Sequence, residues 1–321
     1  KVTDPEMTYT IGQILIKHPE DKVNTVGDYR RSLMKAVYNQ MINSRLGELS
    51  QSANPPFIQG GIDIGEFMGG LDNLSAFFVS KPGQFEEGFK SLVRELDRVD
   101  KFGFTATEFQ RAITALNKNN ETAYTERSKK KSDSYVNTYL DHFLNDGPAL
   151  SNEDKYQITK QLLPSLTLKE VEAIGQKYYV DTNRDVVILA PDAEKDKLPD
   201  EQTVNSWFGD VDKEQLTAYD DKVSDLPMLS KEPVKGSIKS EKSIDKINTK
   251  EFVLSNGVKV VLKPTTFKND EILINAFSPG GTSLYSDAEY MSASFAGNLI
   301  NSSGIGQLNT FELQKYLTGK D

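Results

Sequence analysis

The chain has 321 residues, of which 37% are hydrophobic and 26% are charged, with a formal net charge of −9 and an isoelectric point near 5.0. The excess of negative charge disfavours nucleic-acid binding, and the lack of cysteine excludes disulfides, thiolate zinc sites and cysteine nucleophiles. The length predicts about two domains, and the apolar runs are too short to cross a bilayer.

Strand and helix signals alternate along the first 191 residues. Apolar residues recur at helical spacing over residues 85–99, and two pairs, Thr105 with Glu108 and Thr167 with Glu170, have the spacing of a capping box. The predicted elements are, in chain order, strand 7–17, helix 28–49, strands 60–70 and 74–79, helices 85–99, 107–129, 133–145, 152–163 and 168–177, and strand 184–191. This order predicts an α+β fold with a mainly antiparallel sheet and helices packed on one face.

Residues 192–250 differ in composition from the preceding segment. Lys, Asp, Glu, Ser and Pro dominate, and the main apolar group lies around Trp207. Such a composition is typical of a linker, here with one anchoring helix or turn at Trp207. Because the elements before it supply a complete core, we expect a first domain over residues 1–191 that stays folded when the chain is cut after Pro191.

Residues 251–321 carry the beginning of a second domain. Asn256 and Gly257 stand between two apolar runs and predict a β-hairpin with a type I′ turn. The remaining predicted elements are a strand over 272–276 and helices over 287–301 and 310–317. This truncated domain leaves strand edges and an apolar helix face without partners, so we expect it to dock on the first domain or to associate with another copy of the chain.

The two histidines of the chain do not form a metal site. His18 continues as His-Pro-Glu-Asp-Lys and His142 as His-Phe-Leu-Asn-Asp, so neither begins the H-x-x-E-H motif, in which two histidines one helical turn apart hold zinc. No second ligand stands three or four residues from His142, which we interpret as a partly buried structural histidine. We predict no catalytic, cofactor-binding or metal-ligating residue in this chain.

Two stretches of the chain resemble a known family of proteins. Residues 25–57 read TVGDYRRSLMKAVYNQMINSRLGELSQSANPPF and are similar to the second domain of pitrilysin (insulinase-like) zinc metallopeptidases, where a helix ending in Arg-Leu-x-Glu-Leu precedes an Asn-Pro turn. Residues 254–320 begin LSNGVKVVLKPTTFKNDEILINAFSPGGTSLYSD and are similar to the opening of the third domain. Weaker similarity extends over nearly the whole chain.

The resemblance implies a longer enzyme of four related α+β domains, arranged as two halves around a chamber, with its zinc site in the first domain. This chain is then the second, non-catalytic domain (1–191), the linker between the halves (192–250) and the truncated N-terminal part of the third domain (251–321). The helix at the position of the zinc motif reads Phe295-Ala296-Gly297-Asn298-Leu299, and none of these side chains ligates zinc or acts as a base.

As part of such an enzyme, the chain is expected to form chamber wall and linker while the parent hydrolyses peptides with zinc. Its partners are then the remaining domains of the polypeptide and the peptide substrates, and the family favours the bacterial periplasm or cell envelope over the cytoplasm. The glycines of residues 60–70 indicate a strand that a substrate backbone approaches. The alternative is a non-enzymatic scaffold of the same family, as in core subunits of respiratory complexes, which an upstream sequence without H-x-x-E-H would favour.

Overall fold

The computed structural model describes residues 1–145, 147–224 and 226–320, which form two compact units. The first unit is drawn from residues 1–121, 135–145, 147–222 and 318–320, and the second from residues 122–134, 223–224 and 226–317. In the described part of the chain, no helix is long and apolar enough to span a membrane.

A five-stranded sheet organises the first unit. Its strands are β1 (Val2–Asp4), β2 (Ile11–Pro19), β3 (Gln59–Glu66), β4 (Leu71–Val79) and β5 (Arg184–Pro191), in the spatial order β1-β5-β2-β4-β3. Neighbouring strands are antiparallel except for β1 and β5, which are parallel. Along β2, the buried Ile14 and Ile16 alternate with less buried residues, because successive side chains of a strand point to opposite faces.

Helices follow the strands along residues 26–212, and most of them contribute buried residues to one core with the sheet. They are α1 (Val26–Ser50), α2 (Phe85–Phe102), α3 (Ala106–Thr125), α4 (Ser132–Asn145), α5 (Asn152–Leu162), α6 (Leu168–Tyr178) and α7 (Glu201–Asp212). A capping box precedes α1 at Thr25, α3 at Thr105 and α6 at Thr167: the threonine side chain accepts a backbone N–H three residues on, and the acid there accepts the threonine N–H. The capping boxes predicted at Thr105 and Thr167 are confirmed.

The helix α7 is part of the core of the first unit. Trp207 and Phe208 are each 8% exposed and lie 5.6 and 5.0 Å, between ring centroids, from Phe89 of α2. Val211, at 0% exposure, joins the same buried cluster. Trp207 is therefore the packing anchor that the sequence predicts, and the unit continues past residue 191.

A strap of residues 213–222 follows α7 and is bound to the first unit through charged side chains. Three basic residues of α2, Lys90, Arg94 and Arg98, are spaced by four and therefore lie on one face of the helix. This face contacts the end of α7 and the start of the strap. Their contacts are Lys90 Nζ with Asp210 Oδ2 (2.9 Å), Arg94 Nε with Glu214 Oε2 (2.7 Å) and Arg98 Nε with the Thr217 carbonyl (3.0 Å). The first part of the predicted linker is thus docked, because its charged residues pair with a basic ridge.

The second unit contains a three-stranded antiparallel sheet. Its elements are β6 (Ile238–Ile244), β7 (Thr249–Leu254), β8 (Lys259–Leu262), α8 (Tyr290–Asn301) and α9 (Thr310–Leu317), with the strands in the order β6-β7-β8. The strand β6 lies within residues that the sequence analysis assigns to the linker. Its side chains are almost all exposed, so its sequence lacks the alternation of apolar and polar residues that predicts a strand.

The predicted hairpin joins β7 and β8, but its turn differs from the prediction. Of the two central residues only Gly257 has a positive φ, at 87°, whereas a type I′ turn needs two. The Gly257 N–H donates to the Leu254 carbonyl at 2.9 Å, and the Leu254 N–H to the Val258 carbonyl at 2.9 Å. This is a three-residue loop in which Gly257 takes the left-handed position.

The predicted α+β class is confirmed, since helices pack against an antiparallel-rich sheet. The strand predicted over residues 272–276 is wrong. Ile272 and Ile274 are 87% and 86% exposed and lie outside any strand, because alternation makes a strand only where a neighbour takes up the backbone hydrogen bonds. The division into second domain, linker and start of a third domain stays a prediction.

Candidate functional site

The segment from Phe295 to Leu299, which the sequence analysis compares with a zinc motif, lies on α8. Its side chains are exposed, and Phe295 and Leu299 are apolar. Within residues 1–145, 147–224 and 226–320, no group of three or more His, Cys, Asp or Glu side chains is placed to hold a metal ion. The side chains from Phe295 to Leu299 offer no imidazole, thiolate or carboxylate, so this segment does not fit zinc.

His18 belongs to a partly buried polar cluster that joins β2, β4, α1 and α6. Its Nε2 lies 2.9 Å from the Tyr178 carbonyl, and the Tyr178 hydroxyl donates to Asp72 Oδ2 at 2.7 Å. Lys35 Nζ donates to the same carboxylate oxygen at 2.6 Å. Burial raises the pKa of Tyr178 to about 12, so the phenol stays protonated and serves as a donor. This arrangement fixes elements to one another and activates no nucleophile.

His142 is exposed on α4, so the prediction of a partly buried histidine is wrong. Its Nδ1 lies 2.6 Å from the Gly147 carbonyl, and this contact fixes the end of the helix locally. The apolar side chains on either side of it, Leu140 and Phe143, are 49% and 80% exposed. Because Leu140 and Phe143 are apolar, the sequence suggested that this face of α4 is buried. No described residue packs over it.

The outer edge of β3, which the sequence analysis assigns to an approaching peptide, is occupied by two side chains of α1. Asn39 Oδ1 accepts the Ile64 N–H at 2.9 Å, and its Nδ2 donates to the Ile64 carbonyl at 3.1 Å. Asn43 does the same for Ile62, at 3.0 and 2.6 Å. Each amide therefore replaces the backbone of a neighbouring strand residue.

The match between helix and strand spacing explains this edge. Four helical residues rise about 6 Å, and two strand residues rise about 6.6 Å, so asparagines four apart meet strand residues two apart. The interpretation of this edge as open to a peptide is therefore wrong. The signal available in the sequence was the Asn-x-x-x-Asn spacing in a helix next to a glycine-rich strand.

The glycines of β3 serve aromatic packing. A Cβ atom on Gly60 would lie 2.9 Å from the ring of Phe57, and one on Gly61 would lie 2.5 Å from the ring of Phe77. These distances are shorter than van der Waals contact, so only glycine lets the rings lie on the strand. The close approach that the sequence indicates is real, and the group that approaches is a side chain of the same unit.

A cavity of about 630 Å³ opens at one end of the five-stranded sheet. Its walls come from residues 8–10 before β2, residues 80–83 after β4, and residues 191–203 with Trp207 around the start of α7. Tyr9, Phe85 and Trp207 supply aromatic surface. The sequence analysis did not select this site, because its three walls lie far apart in the chain and share no motif.

No family model matches the chain. Among curated proteins it is 26% identical over 294 residues to "Zinc protease PQQL-like" of Arabidopsis thaliana, covering 91% of this chain and 28% of that protein. It is 23% identical to "Probable zinc protease PqqL" of Haemophilus influenzae, covering 95% of this chain and 33% of that protein. The chain thus spans about a third of the length of these relatives.

A similar fold occurs in solved structures. The crystal structure of the periplasmic protease PqqL from Escherichia coli matches 98% of this chain and 35% of its own, with a TM-score of 0.64 and 18% identity. The first half of the same protease, solved separately, matches 68% of this chain with a TM-score of 0.63. At these identities the likeness concerns the fold.

Proposed function

We propose that this chain, whose similar proteins indicate the pitrilysin-type zinc protease family, forms a non-catalytic portion of a longer zinc-dependent metalloendopeptidase. The observation that carries the proposal is the coverage: similarity extends over 91% of this chain but only 28% of the plant zinc protease. A segment of this kind contributes walls and interfaces to a larger enzyme. The H-x-x-E-H motif, its zinc and the hydrolysis of peptides belong to the remaining polypeptide.

Within that enzyme, the sheet and helices of the first unit form part of the wall of a peptide chamber. In the family's terms, residues 1–191 are the second domain, residues 192–250 link the halves, and residues 251–321 begin the third domain. The compartment we propose is the bacterial periplasm or cell envelope, since the relative from E. coli is described as a periplasmic protease.

The surface of the second unit supports its proposed place inside a larger protein. Ile272, Ile274 and Phe277 are 87%, 86% and 92% exposed, and no residue of α8 is buried within the described chain. Large apolar side chains exposed in such number are typical of a surface that other protein covers in a working assembly. The remaining domains of the same polypeptide are the partner we propose for it.

Two measurements test the proposal. The longer gene product is expected to retain zinc after dialysis and to cleave peptides, whereas this chain alone retains none. A catalytically inactive form of the longer protein, incubated with a photo-crosslinking peptide substrate, is expected to give crosslinks that map to residues 1–222. One tightly held zinc per molecule of this chain would contradict the non-catalytic role, and crosslinks confined to other domains would contradict the chamber wall.

A further inference from the structure

The cavity at the end of the five-stranded sheet has the character of a binding site. Its volume of about 630 Å³ lies within the range of small-ligand and peptide pockets, roughly 300–1,000 Å³. The walls combine aromatic surface with three prolines, Pro82, Pro191 and Pro199. Rigid apolar walls of this kind bind a ligand without losing much conformational entropy of their own.

Charged side chains that line the cavity are engaged by neighbours. Glu86 pairs with Lys90 at 2.7 Å, and Glu194 pairs with Lys197 at 3.1 Å. Lys81 Nζ donates to the Pro55 carbonyl at 2.9 Å. The two lining lysines and two lining glutamates also balance in charge. A ligand that relied on an anion or a cation would have to break these contacts, so the cavity favours an uncharged ligand.

Neutral donors remain for such a ligand: the hydroxyls of Thr8 and Thr10 and one polar group on each of two aromatic side chains. The ring of Trp207 is 8% exposed and packs on Phe85 and Phe89, while its indole N–H has no acceptor among the described residues. It is not one of the fully enclosed polar atoms, so it reaches solvent. Tyr9 is 53% exposed, and its hydroxyl likewise has no partner in the described chain. A ligand with acceptor oxygens and apolar faces suits these groups.

We propose that this cavity binds an extended, proline-rich peptide segment. Polyproline II segments have no internal hydrogen bonds, so their carbonyl oxygens are free to accept from donors such as Trp207 and Tyr9. Their pyrrolidine rings pack on aromatic surfaces, and their preformed conformation lowers the entropy lost on binding. The site lies wholly within the first unit and involves no zinc. The proposed peptide binding can therefore be tested independently of the proposed protease role.

Trp207 is the only tryptophan of the chain, and its fluorescence reports directly on the cavity. The 321-residue chain is titrated with an end-blocked decaproline peptide, and an end-blocked Gly-Ser decapeptide serves as the control ligand. We expect a saturable change in the emission of Trp207 with decaproline only. Tyr9→Ala should weaken binding about tenfold, the effect of losing one good contact, whereas Tyr139→Ala, a change of an exposed tyrosine on α4, should leave it unchanged.

Trp207→Phe removes the indole donor but keeps an aromatic ring in the core, and its binding is followed by calorimetry because the fluorescence is lost. We expect a weakening of about tenfold with an unchanged circular dichroism spectrum. The proposal is overturned if decaproline gives neither a saturable emission change nor heat, if the Gly-Ser peptide binds equally well, or if Tyr9→Ala binds decaproline as tightly as the unaltered chain.

Discussion

Replacing Glu108 by Ala is expected to destabilise the first unit by about 3–5 kcal/mol. Glu108 is 4% exposed and accepts hydrogen bonds from Arg45 of α1, from Nε at 2.6 Å and from Nη2 at 2.8 Å. Arg45 is 2% exposed, and its guanidinium lies 4.8 and 4.3 Å from the ring centroids of Phe104 and Tyr219. The replacement leaves this cation buried without its carboxylate.

Most of the expected magnitude comes from the uncompensated charge of Arg45, because the Coulomb attraction that offsets its desolvation is lost. Glu108 also accepts the N–H of Thr105 in the capping box of α3, and the loss of a cap adds about 1 kcal/mol. Replacing both partners, Arg45→Met with Glu108→Leu, removes both charges and fills the space with apolar atoms. This double replacement should cost much less than Glu108→Ala alone.

Urea unfolding followed by the fluorescence of Trp207 measures this effect, because the single tryptophan lies in the core of the first unit. The control is Glu194→Ala, which breaks a pair with Lys197 whose side chains are 37% and 71% exposed. Its effect should stay below about 0.5 kcal/mol. The reasoning is refuted if Glu108→Ala costs no more than this control, or if the double replacement costs as much as the single one.

Two further predictions concern the edge of β3 and the response to acid. Replacing Asn39 and Asn43 together by Ala should destabilise the first unit by about 1–3 kcal/mol and should make the chain associate as its concentration rises, since the strand edge is opened; sedimentation showing only monomer would count against this. Hydrogen bonding to Arg30 lowers the pKa of Glu170 to about 2, so its stabilisation is present above about pH 4.5 and is lost as the pH falls towards 2. Glu170→Gln should flatten the dependence of unfolding free energy on pH in that interval, and an unchanged slope would contradict the assignment.

Sequence periodicity predicted the elements whose apolar faces are buried. The helices α1, α2 and α6 and the strand β5 lie within a few residues of their predicted bounds, because a stripe of buried side chains repeats with the period of the element. Interactions between residues three or four apart were equally predictable, as in the capping box formed by Thr167 and Glu170. These features depend on residues close to one another in the chain.

Features that depend on pairing between distant residues were not predictable in this way. The strap at 213–222 has the charged composition of a linker. It is held in place by contacts with basic side chains of α2, such as the hydrogen bond from Arg94 to Glu214, and these residues are far apart in the sequence. Asn39 and Asn43 likewise read as ordinary surface residues of a helix until β3 lies beside them. The cavity needs three separated segments, so its donors, Tyr9 and Trp207, carried no common signal.

Cutting the chain distinguishes the boundary in the structure from the one expected from composition. A chain ending at Pro191 loses four apolar side chains of α7 from the core: Val204, Trp207, Phe208 and Val211, which are 6%, 8%, 8% and 0% exposed. Burying such side chains contributes about 1.5–3 kcal/mol each, together about 6–12 kcal/mol, which is comparable with the whole stability of a domain. From this loss we expect a chain ending at Pro191 to unfold, contrary to the expectation from composition, whereas a chain ending at Lys222 keeps α7 and its strap. Thermal unfolding followed by circular dichroism should show a cooperative transition for residues 1–222 and none for residues 1–191. Equal transition midpoints for the two chains would show that the core is complete without α7.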